Sequence, residues 1–345
     1  MDVHEAAIAH VNRAWDWFAG MVALSATNLG VELGLFDYLK AHGSARPDEM
    51  ALALGLQARP VDVWAKTLVH YELFADAGEG RVAMTPGLEL MVCEPRTLLY
   101  LAPSLTYHAR FLARDFLDLS AFFRDGAVAP PSRHGALLSR NIAEQTAMMH
   151  AVFVTAILPE LPDVLSALRS GATVLDAGCG AANLGVLLCS NFPGVRYTGI
   201  DLDVAAVAAA REVIAGSALE SRMTVVFGDA AREVEPSAFD IAFLFLSLHE
   251  ISLMERSAVA AALHTGLKSG GSLVLLDETY PETLADAADR SARMGLHFEY
   301  TEMLWGSRVS TKADIDALLR EAGFINVERR QALEGSFEII VARKA

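Results

Sequence analysis

The sequence predicts an α/β protein: a mostly helical first half, then an open, largely parallel sheet covered by helices and closed by a hairpin. Three observations carry this. From residue 173 onward, short apolar runs alternate with helical stretches. The first run ends in Asp176-Ala-Gly178-Cys-Gly180, which reads as a buried strand turning tightly into a helix. The C-terminal stretch holds two strand-like segments around Glu334-Gly335.

The elements follow in order. Ala6 to Leu24 places apolar residues at helical spacing, and Leu29 to Leu39 forms a second helix ending near Gly43. Arg46-Pro47-Asp48 opens a short helix through Leu54. Pro60 opens another, to about Leu73. Ala75 to Thr85 then makes a small β wing, so residues 29–85 read as a winged helix. Asn141 to Leu158 is helical. The sheet begins with Thr173 to Asp176 and continues with Val195 to Ile200, Met223 to Phe227, Phe239 to Leu246 and Leu273 to Asp277. Helices are expected at 204–214, 255–267 and 312–322, with a turn at Lys268-Ser-Gly-Gly271. Ile325 to Arg330 and Phe337 to Ala342 form the closing hairpin.

Composition narrows the function. With 345 residues the chain has room for two cores. A formal net charge of -15 opposes binding to nucleic acid or to an anionic membrane. The third helix of the winged region offers only Lys66 as a cation, beside Asp62 and Glu72, too few for phosphate contacts. Cys93, Cys179 and Cys189 have no paired spacing, which suits a reducing cytoplasm. The N-terminus does not read as a signal peptide, and no charge-free apolar run spans a bilayer. The mean hydropathy of +0.31 is high, as a large subunit interface would make it.

The glycine turn discriminates between cofactors. A dinucleotide loop would need glycine where Asn183 stands, and no Gly-Lys-Ser/Thr phosphate loop is present. What remains is Asp176-x-Gly178-x-Gly180-x-Ala182, which resembles the first motif of class I S-adenosylmethionine (SAM) methyltransferases, with Ala182 in place of a frequent glycine. The resemblance implies a Rossmann-like seven-stranded sheet over residues 151–345. In it the glycine loop lies under the amino acid part of SAM. Asp201 and Leu202 meet the ribose, and Gly228-Asp229-Ala230 meets the adenine. Leu246, at the tip of the fourth strand, completes the expected cofactor set. An aspartate about 20 residues past the loop suits two ribose hydroxyls. The competing role, capping the following helix, fits Asp203 better than Asp201. Leu33-Gly-Leu-Phe36-Asp and Met84-Thr-Pro resemble the dimerisation domain of small-molecule O-methyltransferases, which implies a homodimer. The expected divisions are a winged-helix dimerisation domain at 1–100, a helical linker at 101–150 that contributes to the substrate pocket, and a SAM-binding methyltransferase domain at 151–345.

The chemistry is expected just past the fourth strand, at Ser247-Leu-His249-Glu250. His249 and Glu250 have three readings: a satisfied polar residue with a helix-start carboxylate, a general base for a hydroxyl substrate, or two metal ligands. His297 would supply a third ligand, giving two histidines and a carboxylate with open positions for iron or zinc. This set resembles the metal-dependent 2-oxo acid β-C-methyltransferases of peptide-antibiotic pathways, although their pair carries Asp where Glu250 stands. The resemblance implies C3 methylation of a small 2-oxo acid chelated by the metal. Arg133, in the segment linking the domains, has two readings: an exposed loop arginine, which its place favours, or a partner for the substrate carboxylate. Two alternatives stay open: a metal-free O-methyltransferase with His249 as base, and a SAM-binding catalyst of the pericyclase kind that transfers no methyl. Tyr107, Tyr300, Thr301 and Trp305 are weaker pocket candidates, and Met148 and Met149 read as core.

Overall fold

The computed structural model describes residues 2–345. The chain divides into two compact units, one ending at Ala113 and the other starting at Arg114, so the expected linker 101–150 is shared between them.

The first unit is helical. Its long helix, Val3–Glu32, starts with a capping box in which the Asp2 N–H donates to Glu5 at 3.0 Å. It runs unbroken through the gap expected at 25–28 and ends at Leu33-Gly34, where Gly34 has φ +69°. Helices Leu35–His42, Pro47–Leu54 and Ala58–His70 follow. Strands β1 (Phe74–Asp76) and β2 (Val82–Met84) then pair antiparallel as the wing. Phe36, Trp64 and Phe74 meet edge-on at the centre, and Trp64 Nε1 donates to the Ala26 carbonyl at 2.8 Å.

The second unit is built on seven strands: β3 (Thr173–Ala177), β4 (Arg196–Asp201), β5 (Met223–Phe227), β6 (Phe239–Phe245), β7 (Leu267–Asp277), β8 (Ile325–Ala332) and β9 (Phe337–Arg343). Their spatial order is β5-β4-β3-β6-β7-β9-β8, parallel through β7 and antiparallel at β9 and β8. Alternate residues feed opposite layers. Val174, Phe243, Phe245, Val274 and Leu276 pack with Phe153 and Leu158. Leu175, Ala242, Leu244, Leu273 and Leu275 pack with Val259, Leu263 and Ile315.

One expected boundary moves. Residues 268–271 do not form a turn outside the sheet. β7 starts at Leu267, and the extra residues bulge between the pairs Phe239–Leu267 and Ile241–Ser272. The helical run Ala136–Glu160 is long and apolar enough to cross a membrane by length and composition. Here its Met149, Phe153, Ile157 and Leu158 belong to the core of the sheet. Chain direction reverses beside β3: the path moves out to β4 and β5, then returns to β6. The carboxyl ends of β3 and β6 therefore flank the switch point, where ligands of open α/β sheets bind.

Candidate functional site

β3 ends on a turn built from the predicted residues. The Gly178 N–H donates to the Ile200 carbonyl at 2.9 Å, and the Gly180 N–H donates to Asp201 Oδ2 at 2.7 Å. Gly178 has φ +74°, and a Cβ there would stand 2.6 Å from Ser247 Cβ. Gly180 has φ +51°, but a Cβ would project into open space. One glycine is thus needed for internal packing, and the other leaves its backbone uncrowded by any neighbour.

The carboxylates differ in role. Asp176 is buried. Its Oδ2 accepts from the Tyr197 hydroxyl at 2.6 Å, while its Oδ1 has no partner. Burial pushes its pKa up to about 7, against the Tyr197 hydrogen bond and helped by the Asp201 charge. Burial also raises Asp201, which accepts from the Asp203 N–H at 2.7 Å. Asp203, not Asp201, caps the helix Val204–Ile214, accepting from the amides of Ala205 and Ala206. Asp229 caps the short helix Ala230–Glu233. Leu202 and Phe227 are both exposed apolar side chains at the neighbouring tips of β4 and β5. Phe227 was not anticipated; its alternation in the strand gave no sign that it would stay uncovered. Gly228 and Ala230 flank this edge, and the Gly228 N–H donates to the Asp201 carbonyl at 3.0 Å.

At β6 the chain bends through Leu246, whose φ of +51° is a strained conformation for a branched side chain. Ser247 Oγ then donates to the Ala177 carbonyl at 3.0 Å, joining the tips of β6 and β3. Next comes His249, with Nδ1 2.5 Å from Asp277 Oδ1 and 3.2 Å from Glu278 Oε1. Its backbone N–H donates to Asp277 Oδ2 at 3.2 Å. With Nδ1 turned to the carboxylate, Nε2 is the nitrogen left for other work. Phe298, from the helix Arg293–Trp305, lies nearly parallel to the imidazole at a centroid distance of 6.0 Å. Burial opposes the charge on His249, but Asp277 and Glu278 prevail and hold its pKa well above the ordinary value. Asp277, Glu278 and Glu302 are all buried. Burial pushes Glu278 up to about 8, against the charge of His249, whose Nδ1 faces its Oε1.

The expected ligand trio does not assemble. Among the described residues, the group of three side chains with ligand atoms within 4.8 Å of one another is His249, Asp277 and Glu278, without Glu250 or His297. Within that group, His249 and Asp277 are engaged with each other. Two atoms each ~2.0–2.1 Å from one zinc ion stand about 3 Å or more apart. The 2.5 Å between His249 Nδ1 and Asp277 Oδ1 is the length of a strong, charge-assisted hydrogen bond. Glu250 is exposed at its surface, yet the protein around it pushes its carboxyl up to about 7, with the His249 charge opposing and those of Asp201, Asp277 and Asp203 adding to the effect. His297 sits on the helix 293–305, one residue before Phe298.

Arg133 also differs from expectation. It donates to Asp118 at 2.5 Å and to buried Asp115, which also takes His134 Nε2 at 2.7 Å and Trp305 Nε1 at 3.1 Å. Its guanidinium is thus already engaged by two carboxylates, as Trp305 is by one. Tyr300 packs against Phe116, and Thr301 bonds the Phe298 carbonyl. Tyr107 belongs to the other unit. Met149 is core, as expected. Asp277, Glu278, Glu302 and Phe298 were missed; the one signal was Asp277 closing the fifth strand.

Residues 174–271 match the model of a methyltransferase domain. The chain is 26% identical to the 3-hydroxy-5-methyl-1-naphthoate 3-O-methyltransferase of Streptomyces sahachiroi, over 96% of this chain and 94% of that protein. The fold matches that of human N-acetylserotonin methyltransferase in complex with SAM (TM-score 0.75, 18% identity, 100% of this chain and 98% of that one). It also matches the mitomycin 7-O-methyltransferase MmcR (TM-score 0.75, 21% identity, 99% and 100%).

Proposed function

We propose that this class I SAM-dependent methyltransferase methylates a hydroxyl group of a small aromatic acceptor, with His249 as general base. The observation that carries the proposal is the 2.5 Å bond between His249 Nδ1 and Asp277, which fixes one tautomer and leaves Nε2 to take a proton. The full-length likeness to a naphthoate 3-O-methyltransferase supports oxygen as the acceptor atom.

The residues present fit SAM. Gly180 leaves bare backbone, Asp176 offers an unpartnered carboxylate oxygen suited to a cationic group, and Asp201 stands ready for ribose hydroxyls. Leu202 and Phe227 offer apolar surface to the adenine, with Asp229 at its edge. Bound SAM supplies an electrophilic methyl on a sulfonium. The protein's work is to remove the hydroxyl proton as the oxygen attacks. His249 Nε2 takes it, and the buried Asp277 carboxylate stabilises the imidazolium that results. Methylation of a metal-chelated 2-oxo acid has less support, because His249, Glu250 and His297 do not gather and Arg133 is engaged elsewhere.

A homodimer is part of the proposal. The helix Val3–Glu32 exposes Trp15, Trp17, Phe18 and Met21, an apolar face suited to a second copy of the chain. The test of the function is S-adenosylhomocysteine release with a panel of hydroxynaphthalenes, with and without a carboxylate. Turnover by wild type and none by His249→Gln is expected. Wild-type turnover by that variant overturns the base, and product without S-adenosylhomocysteine indicates a catalyst that transfers no methyl.

A further inference from the structure

We propose that Arg256 is a positioning residue for methyl transfer, clamping the His249 loop to the segment that follows the helix 293–305. The proposal rests on His249 acting as base. Arg256 opens the helix Arg256–Gly266 and is buried, yet every partner it has is a neutral oxygen. Nε donates to the Ile251 carbonyl at 2.9 Å, and Nη1 to Ser310 Oγ at 2.6 Å. Nη2 reaches the His249 carbonyl at 3.2 Å, Ser307 Oγ at 3.2 Å and the Arg308 carbonyl at 2.5 Å.

A buried guanidinium that hydrogen-bonds no carboxylate, with Asp277, Asp314 and Glu302 acting on its charge only from a distance, is a costly choice for filling space. Its rigid fork of donors is suited to holding several oxygens at fixed angles. Here those oxygens belong to two loops. One carries His249 and Ile251; the other carries Ser307, Arg308 and Ser310. Ser307 reinforces the joint by donating to the His249 carbonyl. The second loop is tied in turn to the helix 293–305, where Glu299 accepts from the Val309 N–H at 2.7 Å, and to the segment after β7, where the Ser310 carbonyl accepts from the Tyr280 N–H at 2.9 Å. His249 is therefore gripped twice. Asp277 holds its ring, and Arg256 with Ser307 holds its carbonyl. The Arg256 clamp fixes the backbone from which the ring swings, and it sets Phe298 against that ring. Neither Asp277 nor the helix alone does this.

The test compares Arg256→Lys and Ser307→Ala with wild type. Each is measured for kcat, KM, SAM affinity by calorimetry, melting temperature, and the low-field proton resonance of the His249 Nδ1–Asp277 bond, assigned by its loss in His249→Gln. Arg256→Lys keeps the charge but loses the fork; kcat should fall by about 100-fold, the scale of a 1 Å misplacement. SAM affinity should stay within about twofold, and the resonance should broaden or shift. Ser307→Ala, which leaves Arg256 in place, should give a smaller fall of the same kind. An unchanged kcat in both variants overturns the clamp. So does a fall in kcat that merely tracks lost SAM binding and lost melting temperature, with the resonance intact. If His249→Gln keeps wild-type turnover, the base has failed. If it is inactive while Arg256→Lys is fully active, only the clamp has failed.

Discussion

Asp277→Asn is the sharpest perturbation of the site, because Asp277 accepts three hydrogen bonds and asparagine can accept at only one atom. In the native protein Oδ1 receives the His249 Nδ1–H at 2.5 Å and the Glu278 N–H at 3.0 Å, and Oδ2 receives the His249 N–H at 3.2 Å. If the asparagine oxygen takes the Oδ1 place, its NH2 faces the His249 amide, donor against donor. If it flips, the NH2 faces Nδ1, which must then accept, so the proton moves to Nε2 and the base is lost. The first arrangement forfeits a charge-assisted bond to a buried imidazolium, worth ~1.5–3 kcal/mol, or about ten- to a hundredfold in kcat. The second costs the tautomer as well, for which a fall of about 10⁴ in kcat is the precedent in serine-protease triads. The assay is single-turnover formation of S-adenosylhomocysteine across pH. Wild-type activity should rise with pH through a midpoint well above the ordinary histidine value, because the base works neutral and Asp277 with Glu278 favours its protonated form. In Asp277→Asn the residual activity should show a lower midpoint. A loss of less than tenfold, or a midpoint that moves upward, refutes the proposal that Asp277 orients and charges His249.

Four further outcomes are expected. Gly178→Ala should abolish SAM binding and lower the melting temperature, since its Cβ meets Ser247 Cβ at 2.6 Å on a backbone with φ +74°; calorimetric binding at wild-type affinity would contradict the tight turn. The ligand-free protein should melt at a lower temperature at pH 8.5 than at pH 6. Acids raised by burial, Asp176 to about 7 and Glu278 to about 8, stabilise the fold while protonated and lose that contribution as pH climbs from about 4 through those values; the raised His249 contribution fades in the same direction. A melting temperature that rises over this interval counts against all three shifts. Exhaustive treatment with a chelator should leave kcat unchanged, and elemental analysis should find no stoichiometric iron or zinc. Activity that returns only with added metal would restore the set of His249, Glu250 and His297. Trp15→Glu combined with Phe18→Glu should convert a dimer into a monomer by light scattering; a monomeric wild type would remove the case for a second copy on that face.

The sheet was legible because its signals are local. Most strands hold a short apolar run (the charged, exposed β8 does not), and three of them stop at Asp201, at Gly228-Asp229 and at Asp277, so the chain announces where those strands end. The first helix was not legible at Ser25-Ala-Thr-Asn28, where polar residues suggest a break. Two of those side chains are satisfied inside the fold: Thr27 Oγ1 donates to the Ala23 carbonyl at 2.8 Å, and Asn28 accepts from Thr106, 78 positions away, at 2.8 Å. No periodicity encodes that distant partner. Lys268-Ser-Gly-Gly271 misled for a similar reason. Lys268 Nζ reaches Asp240 at 2.9 Å and Thr173 at 3.1 Å, and these bonds hold the bulge inside the sheet.

The candidate site divides along the same line. His249 was found by position alone, since the loop that leaves a central parallel strand, here from Phe245, lies at the switch point whatever its residues are. Its chemistry depends on which carboxylate reaches Nδ1, and the adjacent one in sequence does not. Glu250 follows His249 along the chain but stays exposed, while Asp277, 28 residues on, closes on the ring. Arg133 is the same lesson reversed: as a loop arginine it suggested a ligand for a substrate carboxylate, and Asp115 with Asp118 had already claimed it. Sequence spacing can nominate a base because strand geometry is fixed. It cannot pair charges, because buried ions choose partners by distance in a medium of low dielectric, where a neutralising contact outweighs any local preference. The metal expectation loses its support at that step and not at the motif. Once Asp277 holds Nδ1 at 2.5 Å and Arg133 is occupied, the same imidazole that fitted a chelated 2-oxo acid is better placed to deprotonate a hydroxyl.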